Sequence, residues 1–254
     1  MSDVPSVAIP EGLVYLDNNA TTACAPEVVA AMEPYWGAAF GNAESAHFAG
    51  RLARRAVESA RAAVSGALGA DPGQVFFTSG ATEGNNWIFQ AFADSKPAAR
   101  RVAVSAIEHK SVLNAARRLE SFGFEIALLP VTQDGVVDLA AARDAIRPGT
   151  GLVSVQLANN ETGVVQPIRQ IAAVAKKARV LFHTDAVQAI GAIPVDVKEL
   201  GVDMLSMSGH KFHGPKGIGA LYVRKGIKMS NLIHGGAQER GFRAGTENLP
   251  AIVG

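Results

Sequence analysis

Between residues 75 and 184 short apolar runs alternate with longer amphipathic ones, and this alternation constrains the fold more than any other feature. Residues 75–78, 101–105, 125–129, 152–156 and 180–184 have the length and composition of buried strands. Between them, residues 83–93, 111–122, 139–146 and 168–177 read as helices that can lie on a sheet. Strand–helix alternation over such a length predicts an α/β chain of three layers, a mainly parallel sheet with helices on both faces. Ligands in sheets of this kind bind beyond the carboxyl ends of the strands.

The flanking regions extend the pattern. Residues 13–16 read as a short strand, the polar stretch 17–22 as a turn, and residues 25–35 as a helix with Pro26 in its first turn. Residues 47–68 form a longer helix whose expected apolar face carries Leu52, Ala56, Ala60, Val64 and Ala67. Beyond the alternating region, an apolar run from Val202 ends in Ser208-Gly209-His210-Lys211, and a second run over 219–223 returns the chain to the sheet. Lys211 is thereby expected on a turn anchored at both ends. Such a lysine, desolvated, can lose its proton and attack a carbonyl; from spacing alone an ordinary surface lysine is an equal reading.

A chain of 254 residues, 48% of them apolar, can bury a large core. A formal charge of +1 without runs of like charge points to a small-molecule partner, with neither nucleic acid nor a membrane surface. No apolar run reaches spanning length and residues 1–10 lack the form of a secretory leader, so a cytoplasmic location is expected. The single cysteine, Cys24, excludes an intrachain disulfide, and a thiolate metal cluster built from this chain alone.

The expected strand ends collect polar groups of complementary chemistry. Thr78-Ser79-Gly80-Ala81-Thr82-Glu83 opens a helix and could cradle an anion, although as an isolated motif it reads first as a turn and helix cap. His109, Asn160, Asp185 with Gln188, and Lys211 follow four further strands. Pyridoxal 5'-phosphate asks for such a set: a lysine for its aldehyde, donors for its phosphate and a carboxylate for its ring nitrogen. Lys211, the Ala81-Thr82 turn and Asp185 can supply these; His109 could stack on the ring, Gln188 reach its hydroxyl, and Ser208 and His210 add phosphate contacts.

Tyr15-Leu16-Asp17-Asn18-Asn19-Ala20-Thr21-Thr22, the Thr78 to Glu83 turn, Glu108-His109-Lys110-Ser111-Val112, Asn159 to Gly163, His183 to Gln188, Ser208 to Lys211 and Arg240 to Asn248 appear in one order. Together they closely resemble the cysteine desulfurases of the NifS/IscS type, pyridoxal-phosphate enzymes of the class V aminotransferase group. The resemblance implies the large domain of a fold type I pyridoxal-phosphate transferase over residues 15–254, preceded by an arm over 1–14, in a homodimer. It implies that Lys211 is the Schiff-base lysine, Asp185 the ring-nitrogen partner, Gln188 the ring-oxygen partner, and His109 the stacked and catalytic imidazole. Asn160 would lie beside the cofactor, and Ala81, Thr82, Ser208 and His210 would hold its phosphate. Thr246 would reach the phosphate bound by the other subunit. The implied reaction takes sulfur from L-cysteine, leaving L-alanine and a persulfide for an iron–sulfur scaffold protein or another acceptor.

Two departures from the family pattern qualify this. The family's nucleophilic cysteine and its substrate-binding arginine, on a later loop and a small C-terminal domain, have no counterpart in the 254 residues, so a truncated chain that binds cofactor with little turnover is expected. Cys24, at a helix start, reads as a small apolar residue. Gly41-Asn42-Ala43-Glu44-Ser45 also differs locally from the family. A selenocysteine lyase, another class V enzyme and a non-catalytic cofactor-binding remnant remain alternatives. A Rossmann dinucleotide site is disfavoured because the first strand–helix turn lacks Gly-x-Gly-x-x-Gly spacing.

Overall fold

A computed structural model describes residues 12–254. Most of the expected arm, and the stretch that lacks the form of a leader, lie outside the described residues.

Seven strands form one sheet in the order β1-β7-β6-β5-β4-β2-β3. They are β1 (Val75–Thr78), β2 (Arg101–Ser105), β3 (Glu125–Leu129), β4 (Thr150–Ser154), β5 (Leu181–Asp185), β6 (Met204–Ser208) and β7 (Gly219–Val223). Only β7 runs against its neighbours β1 and β6, so the carboxyl ends of the other six share one edge. Because side chains alternate across a strand, each strand feeds two cores. Phe76, Val102, Val104, Leu152 and Met204 pack on one face with Trp87 and Ile88 of α3 (Ala81–Asp94) and Val112 of α4 (Lys110–Arg118). Val75, Phe77, Ala103, Val153 and Leu205 pack on the other with α2 (Phe48–Ala67), α5 (Leu139–Ala145) and α6 (Ile168–Ala178). This is the three-layer arrangement that the alternation predicts. Among the described residues no helix is long and apolar enough to cross a membrane.

Several local expectations fail for physical reasons. Residues 13–16 form no strand; Leu13, Val14 and Leu16 are exposed, and no sheet partner reaches them. The expected first helix is α1 (Pro26–Met32) followed by a 3-10 turn over Glu33–Trp36. The helix expected over 111–122 tightens to a 3-10 turn at Leu119–Phe122 and stops at Gly123, whose φ of 80° suits glycine. On α2 the buried stripe is Gly50, Ala53, Val57, Arg61 and Ser65, whereas Leu52 and Ala67 are exposed.

Arg61 accounts for that rotated face. It is 6% exposed and makes a two-pronged contact with Glu239, at 2.8 and 2.9 Å, while donating to the Val75 carbonyl at 3.0 Å. Glu239 in turn accepts from the Phe77 N–H at 2.9 Å, and Arg240 donates to Val75 O at 2.8 Å. The free edge of β1 is thus satisfied by side chains, which removes the open ladder an edge strand otherwise presents. Two short helices complete the described chain, α7 (Val197–Leu200) and α8 (Leu249–Val253).

Candidate active site

The strand ends and the segment 17–20 enclose a cleft of about 510 Å³. Ala81, Thr82, His109, Asn160, Asp185, Gln188, Ser208, His210 and Lys211 all line it. Thr246 does not: it is exposed beside Thr78 and Ser79 in a separate depression. Cys24 is half-buried and is not among the lining residues.

One end of the cleft is the start of α3. As first-turn groups, the N–H donors of Ala81, Thr82 and Glu83 have no acceptor within the helix. Ala81 N donates to Ser208 Oγ at 3.0 Å, which ties the turn to the end of β6. The approach is close because Gly219 faces Gly80: a Cβ on Gly219 would lie 2.6 Å from Gly80 Cα. Glu83 would bring unwanted negative charge to this end, but Arg243 holds both of its oxygens, at 2.9 and 3.2 Å, and Ser79 Oγ adds a bond of 2.6 Å. Burial pushes the Glu83 carboxyl up, yet these bonds outweigh it and keep the group below its ordinary value. The result is a carboxylate neutralised by Arg243 beside free N–H donors, an arrangement suited to an anion.

The floor is Asp185, at the end of β5 and 5% exposed. Its Oδ1 accepts from Val187 N at 3.0 Å and its Oδ2 from Asn85 Nδ2 at 2.9 Å. Burial raises its pKa, opposed by these bonds and by the charges of His109 and Lys211. Glu108 lies buried nearby, accepting from Gln156 N at 2.6 Å through one oxygen, with its other oxygen unpartnered among the described residues. Burial pushes this carboxyl well above the usual range, and Asp185 adds to the effect. Of the two buried carboxyls, Asp185 has the more bonds that favour its charged form, whereas Glu108 is pushed well up by burial.

His109 caps α4, its Nδ1 accepting from Ser111 N at 3.2 Å. Asn160 follows Asn159, whose Oδ1 accepts from Glu161 N and Thr162 N at 2.9 and 2.8 Å and so closes the loop that presents it.

Lys211 sits in a single 3-10 turn after β6. Its ammonium donates to the Asn19 carbonyl, which Gln188 Nε2 also reaches at 2.9 Å. Burial lowers the Lys211 pKa, with the charges of Asp185 and Asp17 pulling the other way. Thr22 brackets this turn: its Oγ1 donates to His210 O at 3.0 Å and accepts from His213 N at 2.8 Å. His210 Nδ1 contacts Thr21 Oγ1 at 3.1 Å, and burial, with Lys211 and Lys216, lowers its pKa.

The donor set fits pyridoxal phosphate: an amine of depressed pKa, a buried carboxylate, and an anion cradle, all on one cleft. Sequence reasoning gave no role to Asn85, Ser111, Ser206, Glu108 and Asn19, which hold the lining groups in place. Asn19, Glu108 and Ser111 stood within quoted motifs; Asn85 and Ser206 had no such signal.

Residues 14–254 match the class-V aminotransferase family. The chain is 50% identical over 242 residues to a cysteine desulfurase IscS of Methanosarcina thermophila, covering 95% of this chain and 60% of that protein. It is 49% identical to a cysteine desulfurase IscS of Dictyoglomus turgidum, covering 95% and 61%. It therefore spans about three fifths of the length of these curated relatives. Among solved structures, a NifS-like protein superposes with a TM-score of 0.92 at 44% identity, covering 94% of this chain and 67% of that one. A protein described as SspA in complex with cysteine gives 0.91 at 42%, covering 95% and 70%.

Proposed function

The chain belongs to the class-V aminotransferase family, and from that premise we propose that it binds pyridoxal phosphate in its cleft and serves the removal of sulfur from L-cysteine. The products would be L-alanine and a persulfide passed to iron–sulfur cluster assembly or another acceptor. The observation that carries this reading is the convergence of Lys211, Asp185 and the α3 cradle on one cleft. The relatives named cysteine desulfurase and the neighbour solved with cysteine support the substrate.

The cofactor, when bound, supplies an aldehyde for amines and a ring that withdraws electrons. The Thr82 N–H, Ser208 Oγ, which the Ala81 N–H holds in place, and His210 would hold its phosphate at the Ala81-Thr82 turn. Asp185 would hold its ring nitrogen and Gln188 its ring oxygen, with His109 and Asn160 beside it. Lys211 Nζ, depressed toward neutrality by burial, is suited to attack a carbonyl and to carry a proton once released. The Asp185 carboxylate is buried, where its charge acts more strongly than in water. Thr246, exposed and outside its own cleft, would serve a second copy in a homodimer.

Cys24 is the sole cysteine of the 254 residues and does not line the cleft. We therefore propose that this polypeptide binds cofactor while releasing little sulfide on its own. Borohydride reduction of the cofactor-loaded chain should fix the cofactor mass on the peptide carrying Lys211, and on none in Lys211→Ala; labelling elsewhere would remove the assignment. Sulfide and alanine formed from L-cysteine with dithiothreitol should stay near background, in the chain and in Cys24→Ala alike. Robust turnover abolished by Cys24→Ala would make Cys24 the nucleophile instead.

A further inference from the structure

One chain of hydrogen bonds joins Asp185 at the cleft to Asn85 of α3 and to buried groups of β4, β5 and β6. Asp185 Oδ2 accepts from Asn85 Nδ2, which orients the amide and turns Asn85 Oδ1 toward Ser206, whose hydroxyl donates to it at 2.5 Å. With its single proton given to Asn85, Ser206 Oγ can only accept from His183 Nε2, at 3.2 Å. Burial lowers the pKa of His183 to about 3. In the neutral ring, with the proton on Nε2, Nδ1 accepts from Ser154 Oγ at 2.8 Å.

The other branch leads to His109. Asn85 Nδ2 also donates to Ser111 Oγ at 2.9 Å, which leaves the Ser111 proton free for His109 Nδ1 at 2.8 Å. The Ser111 backbone N–H, which can only donate, points at the same nitrogen. The backbone contact requires a lone pair on Nδ1 and the hydroxyl can donate to the same nitrogen, so the proton of the neutral ring belongs on Nε2. Nδ1 is turned away into the network, and Nε2 is the nitrogen left for the cleft.

We propose that Asn85 and Ser111 are positioning residues that hold neutral His109 as its Nε2–H tautomer, so that the ring meets a bound ligand as a hydrogen-bond donor, with Asn85 coupling that orientation to Asp185. An acceptor atom on the ligand is then the matching partner of His109. A proton on Nδ1 would displace the Ser111 N–H contact and reverse the one with its hydroxyl. Asp185 is faced by Glu108, His109 and Lys211 as well as by Asn85, and of these four Asn85 carries no titratable group. The meaning for catalysis rests on the proposed role in sulfur removal, whereas the test does not, because it needs no cofactor.

The chain is labelled with 15N in histidine, and two-bond 1H–15N correlations are recorded at a pH where the same spectra show the ring neutral. His109→Gln assigns the signal. His109 should show an unprotonated Nδ1 and a protonated Nε2. Ser111→Ala should raise the share of the Nδ1–H form, Ser111→Thr should restore the original pattern, and Asn85→Ala should act like Ser111→Ala. Asn85→Ala should also raise the titration midpoint of Asp185, read from its 13C carboxyl shift. If Asn85→Ala fails to fold, Asn85→Ser carries the Asp185 arm and Ser111→Ala the His109 arm. An Nδ1–H ring in the unmodified chain overturns the proposal, as does an unchanged tautomer in folded Ser111→Ala and Asn85 variants. An Asp185 midpoint unmoved by the Asn85 substitutions removes the coupling.

Discussion

Asp185 and Lys211 leave the ends of neighbouring strands and face one cleft, yet they are held by opposite means. Asp185 rests on buried side chains: Asn85, Ser206 and His183 are each 0% exposed and bonded to one another. Lys211 is partly exposed and leans on a backbone carbonyl, that of Asn19, in a segment without helix or strand. The floor is fixed before any ligand arrives, because a satisfied buried network leaves no cheap alternative geometry. The wall can adjust, because the partners of Lys211 are water-accessible and easily replaced. A lysine that must attach to and detach from a ligand belongs on such a wall, and a carboxylate that must hold one ring atom belongs on such a floor.

The largest effect expected of a single substitution within the floor is that of Asp185→Asn. A charge-assisted hydrogen bond is worth about 1.5–3 kcal/mol, so cofactor retention, measured by equilibrium dialysis, should fall roughly ten- to hundredfold. Retention within twofold of the unmodified chain would mean that Asp185 does not carry the ring nitrogen. A corresponding substitution in the wall, Gln188→Ala, removes one exposed neutral contact and should weaken retention far less.

This contrast between floor and wall also decides what could be read from the sequence. The strands, their order of appearance and the groups at their ends were legible because apolar runs and turn residues are local signals. Lys211, Asp185 and His109 announce themselves by leaving such runs. Asn85 does not, since a polar residue within a helix reads as a solvent-facing one, and its partners lie 26, 100 and 121 residues away. Arg61 misled for the same reason: its buried partner Glu239 is 178 residues distant, and no helical periodicity encodes that. Residues 13–16 erred the other way, for a β-like run becomes a strand only where an edge is free to pair with it.

The floor should also leave its mark on stability against pH. Burial lowers the pKa of His183 from 6.5 to about 3. Between those values the unfolded chain binds a proton that the folded chain refuses, so stability is full above pH 6.5 and drains as the pH falls toward 3. The slope from this one group is at most about 1.4 kcal/mol per pH unit. Glu108 and Asp185, whose pKa values are raised, act in the opposite sense and lose stability as pH rises through the carboxylate range. The comparison is therefore a difference: urea unfolding of the chain and of His183→Asn, across the same acidic range. The acid-side loss assigned to His183 should be missing from the variant; equal slopes in both would mean that the imidazole is charged or solvated in the folded state.

The smallest effect, and the one that most sharpens the contrast, is expected at Thr22. Its hydroxyl joins the segment before α1 to the Lys211 turn, donating to His210 O and accepting from His213 N, where His213 adopts a φ of 67°. That backbone conformation is uncommon for a residue with a side chain, so the turn depends on the contacts that hold it. Thr22→Val keeps the volume and removes the hydroxyl, leaving a part-buried N–H without its acceptor, where full burial would cost about 1–3 kcal/mol. Because the turn is near the surface, water can replace part of the lost bond, and the lower end of that range is expected. The loss should show as faster amide exchange at residues 210–213, with the His109 tautomer and the Asp185 midpoint unmoved. If Thr22→Val shifts those two as well, the wall and the floor are one cooperative unit, and Lys211 does not sit in an adjustable setting.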